Sequence, residues 1–273
     1  MHVIAFVNQK GGCGKTTTAV NLAGALVARG GRVLLVDLDP QAHATMALGC
    51  VADGPTVLEV LGGEAGVDEA VLPGSGGVAV LGADARLAEF EETSARTIRP
   101  ESRLVEALAA SGAQFDWAIL DCPPRTEGPL AANALRAADT AVLVIETGAF
   151  ALQGAIKARA VLEEKAQLRE RPFRVRAVAT LFDRRVKIAR DLLLGIHARF
   201  GEVLFDTAIR TSARLREAAA SCVPIQVLAP RSPAAQDFAA LAAEVELHAR
   251  ACEPREFPQP AAKQITSVHV AEF

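Results

Sequence analysis

Residues 10–17 read Lys10-Gly11-Gly12-Cys13-Gly14-Lys15-Thr16-Thr17. This glycine-rich stretch directly follows an apolar run at 2–8 and leads directly into a helical pattern at 16–29. Phosphate groups need a backbone that turns tightly and points several N–H groups inward, with the positive end of a helix behind it. The order of strand, glycine-rich loop and helix therefore predicts a phosphate-binding loop near the start of the chain.

The residue types in this loop predict separate roles for its members. The residues expected to surround the phosphates are Gly11, Gly12, Cys13, Gly14, Lys15, Thr16 and Thr17. Lys15 would reach the β- and γ-phosphates, and the Thr16 hydroxyl would ligate Mg²⁺. The standard pattern Gly-x-x-x-x-Gly-Lys-[Ser/Thr] needs a glycine where this chain has Gln9, and the chain carries a further lysine, Lys10. The loop is therefore a variant of the standard pattern.

Two other apolar runs end in acidic residues. The run that begins at Arg32 reaches Asp37 and Asp39, and the run that begins at Phe115 reaches Asp121. Ligands of open α/β sheets bind at the carboxyl ends of the strands, so these carboxylates would lie beside the phosphate loop. Asp121 would hold Mg²⁺ through a water molecule, because Mg²⁺ prefers oxygen ligands and keeps much of its hydration.

Runs of strand length alternate with helical patterns along most of the chain. The predicted strands are 2–8, 32–36, 77–81, 117–120, 140–145 and 175–180. The predicted helices are 16–29, 101–111, 129–138, 151–169, 187–200, 211–220 and 233–251. This alternation predicts an α/β fold, with a mostly parallel, twisted sheet covered by helices on both faces. We expect one domain over 1–252 and a loosely ordered tail over 253–273, because the tail contains three prolines and few helix signals.

The composition predicts a folded protein of the cytoplasm. Of the 273 residues, 51% are hydrophobic and 22% are charged, which excludes wholesale disorder. The longest aliphatic runs, such as 141–145, are too short to cross a bilayer, and the N-terminus lacks the basic region of a signal peptide. Five scattered cysteines without a Cys-x-x-Cys pair favour a reduced cytosol over a disulfide framework or a zinc site.

The net charge of −3 hides an uneven distribution. Residues 169–216 contain twelve lysines and arginines against five acidic residues. A basic segment on an otherwise acidic chain is a candidate polyanion-binding surface. Charge alone favours the alternative that these residues are the solvated faces of helices.

Three motifs together resemble those of the ParA/MinD family of P-loop ATPases. They are the loop at 10–17, similar to the family's deviant Walker A motif, Asp-x-Asp-Pro-Gln at 37–41 and Asp-Cys-Pro-Pro at 121–124. The second and third motifs resemble ParA proteins in particular. The resemblance implies a P-loop NTPase fold, ATP and Mg²⁺ as cofactors, ATP hydrolysis, and a homodimer that forms on ATP binding.

The resemblance also implies roles for single residues. Lys10 would reach the nucleotide of the other subunit, where a cation delivered in trans stabilises charge on the γ-phosphoryl group together with Lys15. Asp39 would position or activate the attacking water, and Asp37 would assist the outer shell of the metal. The chain departs from the family's small and apolar residues at 125–129, so Arg125 either contacts phosphate or a partner, or is a solvated cation.

The resemblance covers roughly residues 2–250 and is weakest over 50–100. Family members bind double-stranded DNA without sequence preference when they are dimeric and loaded with ATP, a mode of binding that rests on contacts from Lys and Arg to phosphates. The candidate DNA-binding residues are Arg184, Arg185, Lys187, Arg190, Arg210, Arg214 and Arg216. From their positions, Asp183 and Pro230 are predicted to contact the nucleotide base.

Three functions remain open at this point. The first is a ParA-type ATPase that partitions or positions a chromosome, plasmid or protein assembly on the nucleoid, with a ParB-like or cargo-bound protein activating hydrolysis. The second is a membrane-cycling ATPase of the MinD type, which needs a basic amphipathic C-terminal helix that the tail does not provide, so we expect no membrane partner. The third is a nucleotide-gated scaffold with vestigial hydrolysis, although every predicted catalytic residue is present.

Overall fold

Seven strands form one sheet in the part of the chain that the structure describes. The computed structural model describes residues 1–94, 99–111, 114–148, 151–169 and 171–251. The strands are β1 His2–Val7, β2 Val33–Asp37, β3 Val71–Pro73, β4 Ala79–Leu81, β5 Trp117–Asp121, β6 Thr140–Glu146 and β7 Arg174–Thr180. Their order is β3-β4-β2-β5-β1-β6-β7, and all neighbours are parallel except β3 and β4. The expected mostly parallel sheet is confirmed.

Helices cover both faces of the sheet. They are α1 Lys15–Ala28, α2 His43–Ala47, α3 Val57–Gly62, α4 Val67–Ala70, α5 Leu87–Thr93, α6 Arg103–Ala110, α7 Pro129–Ala137, α8 Ala151–Gln167, α9 Lys187–Phe200, α10 Ala213–Ala220, α11 Ile225–Leu228 and α12 Pro233–Arg250. Buried side chains of α1, α2 and α10 to α12 pack on one face, and those of α3 to α9 pack on the other. The sheet is therefore the middle of three layers.

Strand β1 shows how the sequence builds the two layers of core. Ile4 and Phe6 belong to the cluster that contains α1, whereas Val3, Ala5 and Val7 belong to the opposite cluster. Side chains of a strand alternate between its faces, so a continuous apolar run fills both layers. β1 therefore lies near the middle of the sheet, with β5 on one side and β6 on the other.

The register brings the predicted acidic residues together at the carboxyl edge of the sheet. Asp121 is the pairing partner of Phe6 on β1 and of Asp37 on β2. The loop after β1, which holds the glycine-rich motif, leaves the sheet at this same edge. The candidate residues therefore meet where open α/β sheets bind their ligands.

The predicted strands and helices are all present in the structure, with their ends within two residues of the expected positions. The prediction missed β3 and the five short helices α2 to α5 and α11. These elements have three to seven residues, too few to show a clear hydrophobic period. One of them did carry a signal: Thr56 and Glu59 form a capping box at the start of α3.

No helix in the described residues is long and apolar enough to cross a membrane. The predicted tail over 253–273 lies outside the described residues.

Candidate functional site

The glycine-rich loop joins β1 to α1 and adopts the turn that its glycines allow. Gly12 and Gly14 have φ angles of +76° and +94°, in the left-handed region that favours glycine. A Cβ atom at Gly11 or Gly12 would meet nothing within 4 Å among the described residues, so the loop borders open space at these two positions. The loop can therefore admit a phosphate chain against the start of α1.

Contacts from two neighbouring strands hold this loop in place. Cys13 is fully buried, and its carbonyl accepts a hydrogen bond of 2.7 Å from the Thr180 hydroxyl at the end of β7. Burial raises the pKa of the Cys13 thiol, which disfavours the reactive thiolate, and we therefore interpret this side chain as part of the packing. On the other flank, the Asn8 side-chain amide donates to the carbonyl of Val144 on β6, and its oxygen accepts from the backbone N–H of Lys10.

The two lysines of the loop lie in different environments. Lys15 is 7% exposed, and its Nζ donates to the backbone carbonyl of Lys10 at 3.3 Å. The Lys10 side chain is half-exposed and forms an ion pair with Glu146, the last residue of β6. Lys15 therefore points along the inside of the loop, whereas Lys10 lies at its outer rim.

Thr16 and Asp121 form the part of the site that fits a metal ion. The Thr16 hydroxyl donates to Asp121 Oδ2 at 2.7 Å, while Asp121 Oδ1 is buried with no hydrogen-bond partner in the described chain. Burial, reinforced by the nearby carboxyl of Asp37, raises the pKa of Asp121 well above its ordinary value. A buried carboxylate oxygen without a partner, next to a hydroxyl, is an arrangement that fits a hard cation such as Mg²⁺.

Asp37, the last residue of β2, and Asp39, two residues later, differ in their burial and in the hydrogen bonds that they accept. Asp37 is buried and accepts hydrogen bonds from the Thr45 backbone N–H and hydroxyl at 2.9 and 2.8 Å, and from the Asp39 backbone N–H at 3.1 Å. Burial raises the pKa of Asp37 in spite of these bonds. Asp39 is half-buried and accepts from the backbone N–H of Gln41. Asp37 thus anchors α2, and Asp39 lies closer to solvent beside the loop.

Comparison with known proteins identifies the family. Residues 1–171 match a family described as an AAA domain. The chain is 40% identical over 245 residues to the chromosome-partitioning ATPase Soj of Thermus thermophilus, covering 89% of this chain and 94% of the relative. It is 36% identical over 251 residues to the chromosome partitioning protein ParA of Caulobacter vibrioides, covering 90% and 94%. The chain belongs to the ParA/Soj-type P-loop ATPases of the ParA/MinD family.

A solved structure agrees with this family assignment. The chain superposes on a cobyrinic acid a,c-diamide synthase from Mycobacterium smegmatis, crystallised with ADP and magnesium, with a TM-score of 0.80. The two are 30% identical, and the match covers 96% of this chain and 99% of the other. The P-loop NTPase fold predicted from the motifs is confirmed.

The loop between Asp121 and α7 contains the chain's departure from the ParA pattern, and the structure shows what its residues contact. Arg125 donates to Glu91 Oε2 on α5 at 2.8 Å. Thr126 is buried, and its hydroxyl accepts from the side-chain amide of Gln9. The Arg125 side chain is 60% exposed and paired with Glu91, and both alternatives expected for it stay predictions.

Sequence reasoning missed Glu146, Gln9 and Thr126 as residues of this site. Glu146 did carry a signal, because β6 ends in an acid in the same way as the strands that end at Asp37 and Asp121. The contact between Gln9 and Thr126 had no such signal. It joins residues far apart in the sequence, which meet because β1 and β5 are neighbours in the sheet of this P-loop ATPase.

The residues predicted to contact the base lie beyond β7. Asp183 lies three residues after the end of β7, whose Thr180 contacts the P-loop. Together with Phe182 and Pro233 it lines a cavity of about 500 Å³. Hydrogen bonds from Arg185 lower the pKa of Asp183 to about 2. Pro230 is exposed in the turn before α12. The base-binding role of both residues stays a prediction.

The seven predicted DNA-binding cations divide into two groups. Three form ion pairs, which are Arg210 with Asp237, Arg185 with Asp183 and Arg214 with Glu217. The others are exposed, with no acidic partner at ion-pair distance in the described chain; they are Arg184, Lys187, Arg190 and Arg216. Of the three pairs, that of Arg210 is the most costly to break, because its partner Asp237 is buried and would be left without a cation. The unpaired group is therefore the better set of candidates in this ParA-type chain.

Proposed function

We propose that this protein is an ATPase that dimerises on ATP binding, binds double-stranded DNA without sequence preference, and partitions or positions a cargo on the nucleoid. The observation that carries the proposal is the Thr16–Asp121 pair, with its unpartnered oxygen, beside an open phosphate loop. Identities of 36% and 40% to a ParA and a Soj protein support chromosome partitioning as the process. The cargo is a chromosome, a plasmid or a protein assembly.

The binding of ATP would rest on the loop and on two side chains. Backbone N–H groups of the loop and the start of α1 would bind the phosphates, and Lys15 would neutralise the β- and γ-phosphates. Thr16 would hold Mg²⁺ through its hydroxyl, and the unpartnered oxygen of Asp121 would hold it through a water molecule. Mg²⁺, when bound with ATP, supplies charge that neutralises the β- and γ-phosphate oxygens.

Hydrolysis would need residues from two subunits. Lys10 lies at the outer rim of the loop, so it would leave Glu146 and approach the γ-phosphate bound by a second subunit. Asp39 would position the attacking water in its own subunit. The two subunits would exchange equivalent contacts across a two-fold axis. A ParB-like or cargo-bound protein would then stimulate hydrolysis and return the dimer to the DNA-free state.

DNA binding would rest on the cations that the protein itself leaves unpaired. An arginine held by a carboxylate must give up that partner before it can bind a phosphate, whereas Arg184, Lys187, Arg190 and Arg216 have no such cost. Contacts of this kind are independent of sequence and weaken steeply with salt. The same group of cations fits a polyanion better than a neutral protein partner.

Retention of the protein on immobilised double-stranded DNA tests this proposal. We expect retention with ATP and Mg²⁺ but not with ADP, loss of retention in Lys15→Ala, and persistent retention in Asp39→Ala, which would bind ATP without hydrolysing it. Lys157→Ala, which changes an exposed lysine of α8 that is not assigned to the site, serves as a control for the loss of a lysine. Retention that is independent of nucleotide would contradict the proposal.

Two further measurements separate the alternatives. Phosphate release with and without DNA identifies a vestigial scaffold if the rate is near zero in every condition. Sedimentation with liposomes and ATP identifies a membrane-cycling ATPase. Proteins that co-purify with Asp39→Ala would include the activating partner, because this variant is expected to hold the ATP-bound dimer.

A further inference from the structure

Thr126 lies at a point where three parts of the chain meet. It is 2% exposed and sits in the loop that follows Asp121. Its hydroxyl accepts a hydrogen bond of 2.8 Å from Gln9 Nε2, and its backbone carbonyl accepts one of 2.9 Å from Lys165 Nζ on α8. One buried residue therefore accepts hydrogen bonds from a side chain at the start of the P-loop segment and from a side chain of a helix in the outer layer.

These contacts tie the loop after β1, which contains the glycine-rich motif, to the loop that follows Asp121. Backbone pairing between β1 and β5 ends at Phe6 and Asp121, so beyond that point no ladder holds the two chain segments at a fixed separation. Gln9 directly precedes Lys10, and Thr126 follows Asp121 by five residues. The hydrogen bond between Gln9 and Thr126 thus continues the connection between the strands after the sheet has ended.

The ion pair of Arg125 is a weaker contact of this loop. Arg125 and Glu91 form an ion pair in which the arginine side chain is 60% exposed, and exposed pairs contribute little in water. Lys165 instead offers a charged donor to a buried residue, and such hydrogen bonds are stronger than neutral ones. Cys122 and Pro123 are buried at the start of the loop, and further along it Thr126 is held by the side chains of Gln9 and Lys165.

We propose that Gln9, Thr126 and Lys165 are positioning residues that fix the separation between the loop carrying Lys10 and the loop that follows Asp121. This inference rests on the proposed ATPase function. None of the three side chains is assigned to the phosphates, so their loss should change the alignment of the reacting groups more than nucleotide affinity. Small misplacements of catalytic groups reduce turnover strongly.

Hydrogen–deuterium exchange of the nucleotide-free protein tests the tie without any activity. Thr126→Val removes the hydroxyl and keeps the shape, and we expect exchange to rise about five-fold in peptides covering both 8–14 and 122–128. Thr126→Ser keeps the hydroxyl and should exchange like the wild type. Gln9→Leu should reproduce the effect on both loops, and the double variant should add little to either single change. An increase confined to 122–128, or full additivity, would overturn the proposal.

Steady-state hydrolysis tests the positioning role. We expect kcat to fall about five- to tenfold in Thr126→Val and in Lys165→Met, with the KM for ATP changed less than two-fold, and recovery of kcat in Thr126→Ser. An unchanged kcat in a Thr126→Val protein with raised exchange would overturn the role, as would a KM effect alone. If the wild type hydrolyses no ATP under any condition, the proposed function fails, and the exchange result still decides whether the tie exists.

Discussion

Strand β5 has an aspartate at each end, and the two carboxyl groups lie in opposite environments. Asp116, just before the strand, accepts three hydrogen bonds from Arg32, which lower its pKa to about 2. Asp121, the last residue of the strand, is buried with one oxygen unpartnered, and burial raises its pKa. The described chain therefore supplies hydrogen-bond partners to both carboxyl oxygens of the aspartate at one edge of the sheet, and to only one of the two at the other edge.

Glu246 and Asp37 follow the same division, whereas Glu146 at the carboxyl edge pairs with the half-exposed Lys10. At the amino edge Glu246 pairs with Arg29. At the carboxyl edge Asp37 is buried near Asp121 with hydroxyl and amide partners, and no cation of the described residues pairs with it. A fold gains nothing in stability by leaving buried carboxylates without cations. The carboxyl edge therefore holds buried carboxyl groups whose negative charge is not balanced by a cation of the described chain. A bound cation and nucleotide would supply the partners of these groups.

The largest expected effect is on hydrolysis. Asp121→Asn removes the anionic ligand while keeping the shape, and we expect ATP turnover to fall about 100-fold or more, the size typical for loss of one strong electrostatic contact to the reacting groups. Asp116→Asn should stay within two-fold of the wild type, because Asp116 lies at the opposite edge. Phosphate release at saturating ATP and Mg²⁺ measures both. Equal losses of turnover in the two variants would contradict the assignment of hydrolysis to the carboxyl edge alone.

The same pair of variants should have the reverse effect on stability. Without nucleotide or Mg²⁺ at pH 7, Asp121→Asn should raise the free energy of unfolding by about 1–2 kcal/mol, because it removes a buried charge that lacks a cation. Asp116→Asn should lower it by only about 0.5 kcal/mol, since the ion pair is exposed and screened by solvent. Urea unfolding of the three proteins gives both differences. A destabilised Asp121→Asn would show that the carboxyl edge is complete without a ligand.

The pH dependence of these differences has opposite signs. The folded-state pKa of Asp121 is raised, so its carboxyl is destabilising at high pH, and the gain in Asp121→Asn should shrink towards zero as pH falls to about 4, the unfolded value. The folded-state pKa of Asp116 is lowered to about 2, so the stability that this carboxylate contributes is present above pH 4. That contribution should disappear only as pH falls from about 4 to about 2. Unfolding curves between pH 8 and pH 3 separate the two behaviours.

Much of this contrast could be predicted from the sequence, but not all of it. The strand, glycine loop and helix at residues 2–29 have strong local patterns, and the acids at Asp37 and Asp121 follow apolar runs, so a parallel sheet alone predicts that they meet. Whether a carboxylate is satisfied depends on contacts across the sheet. The pairs between Arg32 and Asp116 and between Lys10 and Glu146 join residues far apart in sequence, and no local period marks them.

The region 50–100 was the least predictable part of the fold. Its elements are short, and β3 is an edge strand of three residues that contains Pro73. Glu91 of this region contacts Arg125, which explains why the role of that arginine could not be decided from its own neighbours in the sequence. Local patterns predict elements and strand ends, whereas partners of single charged groups need the tertiary structure.

A smaller effect extends the comparison from carboxylates to surface cations. If unpaired groups are the ones available to ligands, Lys187→Ala should reduce the slope of log affinity against log salt for double-stranded DNA by about 0.9, the value for one phosphate contact. Arg214→Ala should change the slope less, because Arg214 is already paired with Glu217. Fluorescence anisotropy of the ATP-bound protein at several salt concentrations measures both slopes. Equal changes would mean that pairing within the subunit does not decide which cations bind DNA.

The smallest expected effect concerns the backbone at the same two edges. Ala42, in the loop after Asp39, has a φ of +53°, whereas the turn after α1 at the amino edge places Gly30 at +91°. The left-handed region costs a residue with a Cβ about 1 kcal/mol, and glycine's greater freedom in the unfolded chain offsets part of that. Ala42→Gly should therefore raise the free energy of unfolding by about 0.5 kcal/mol and lower turnover slightly, because Asp39 is held less firmly.

Gly30→Ala is the matched control, and it makes the reverse change at the amino edge. An added Cβ there meets no atom within 4 Å, so the loss of about 1 kcal/mol would come from the backbone alone, with no change in turnover. Urea unfolding and phosphate release of both variants complete the test. Higher stability with unchanged turnover in Ala42→Gly would mean that the backbone strain at Ala42 does not contribute to hydrolysis. The difference between the two edges would then hold for charge but not for backbone conformation.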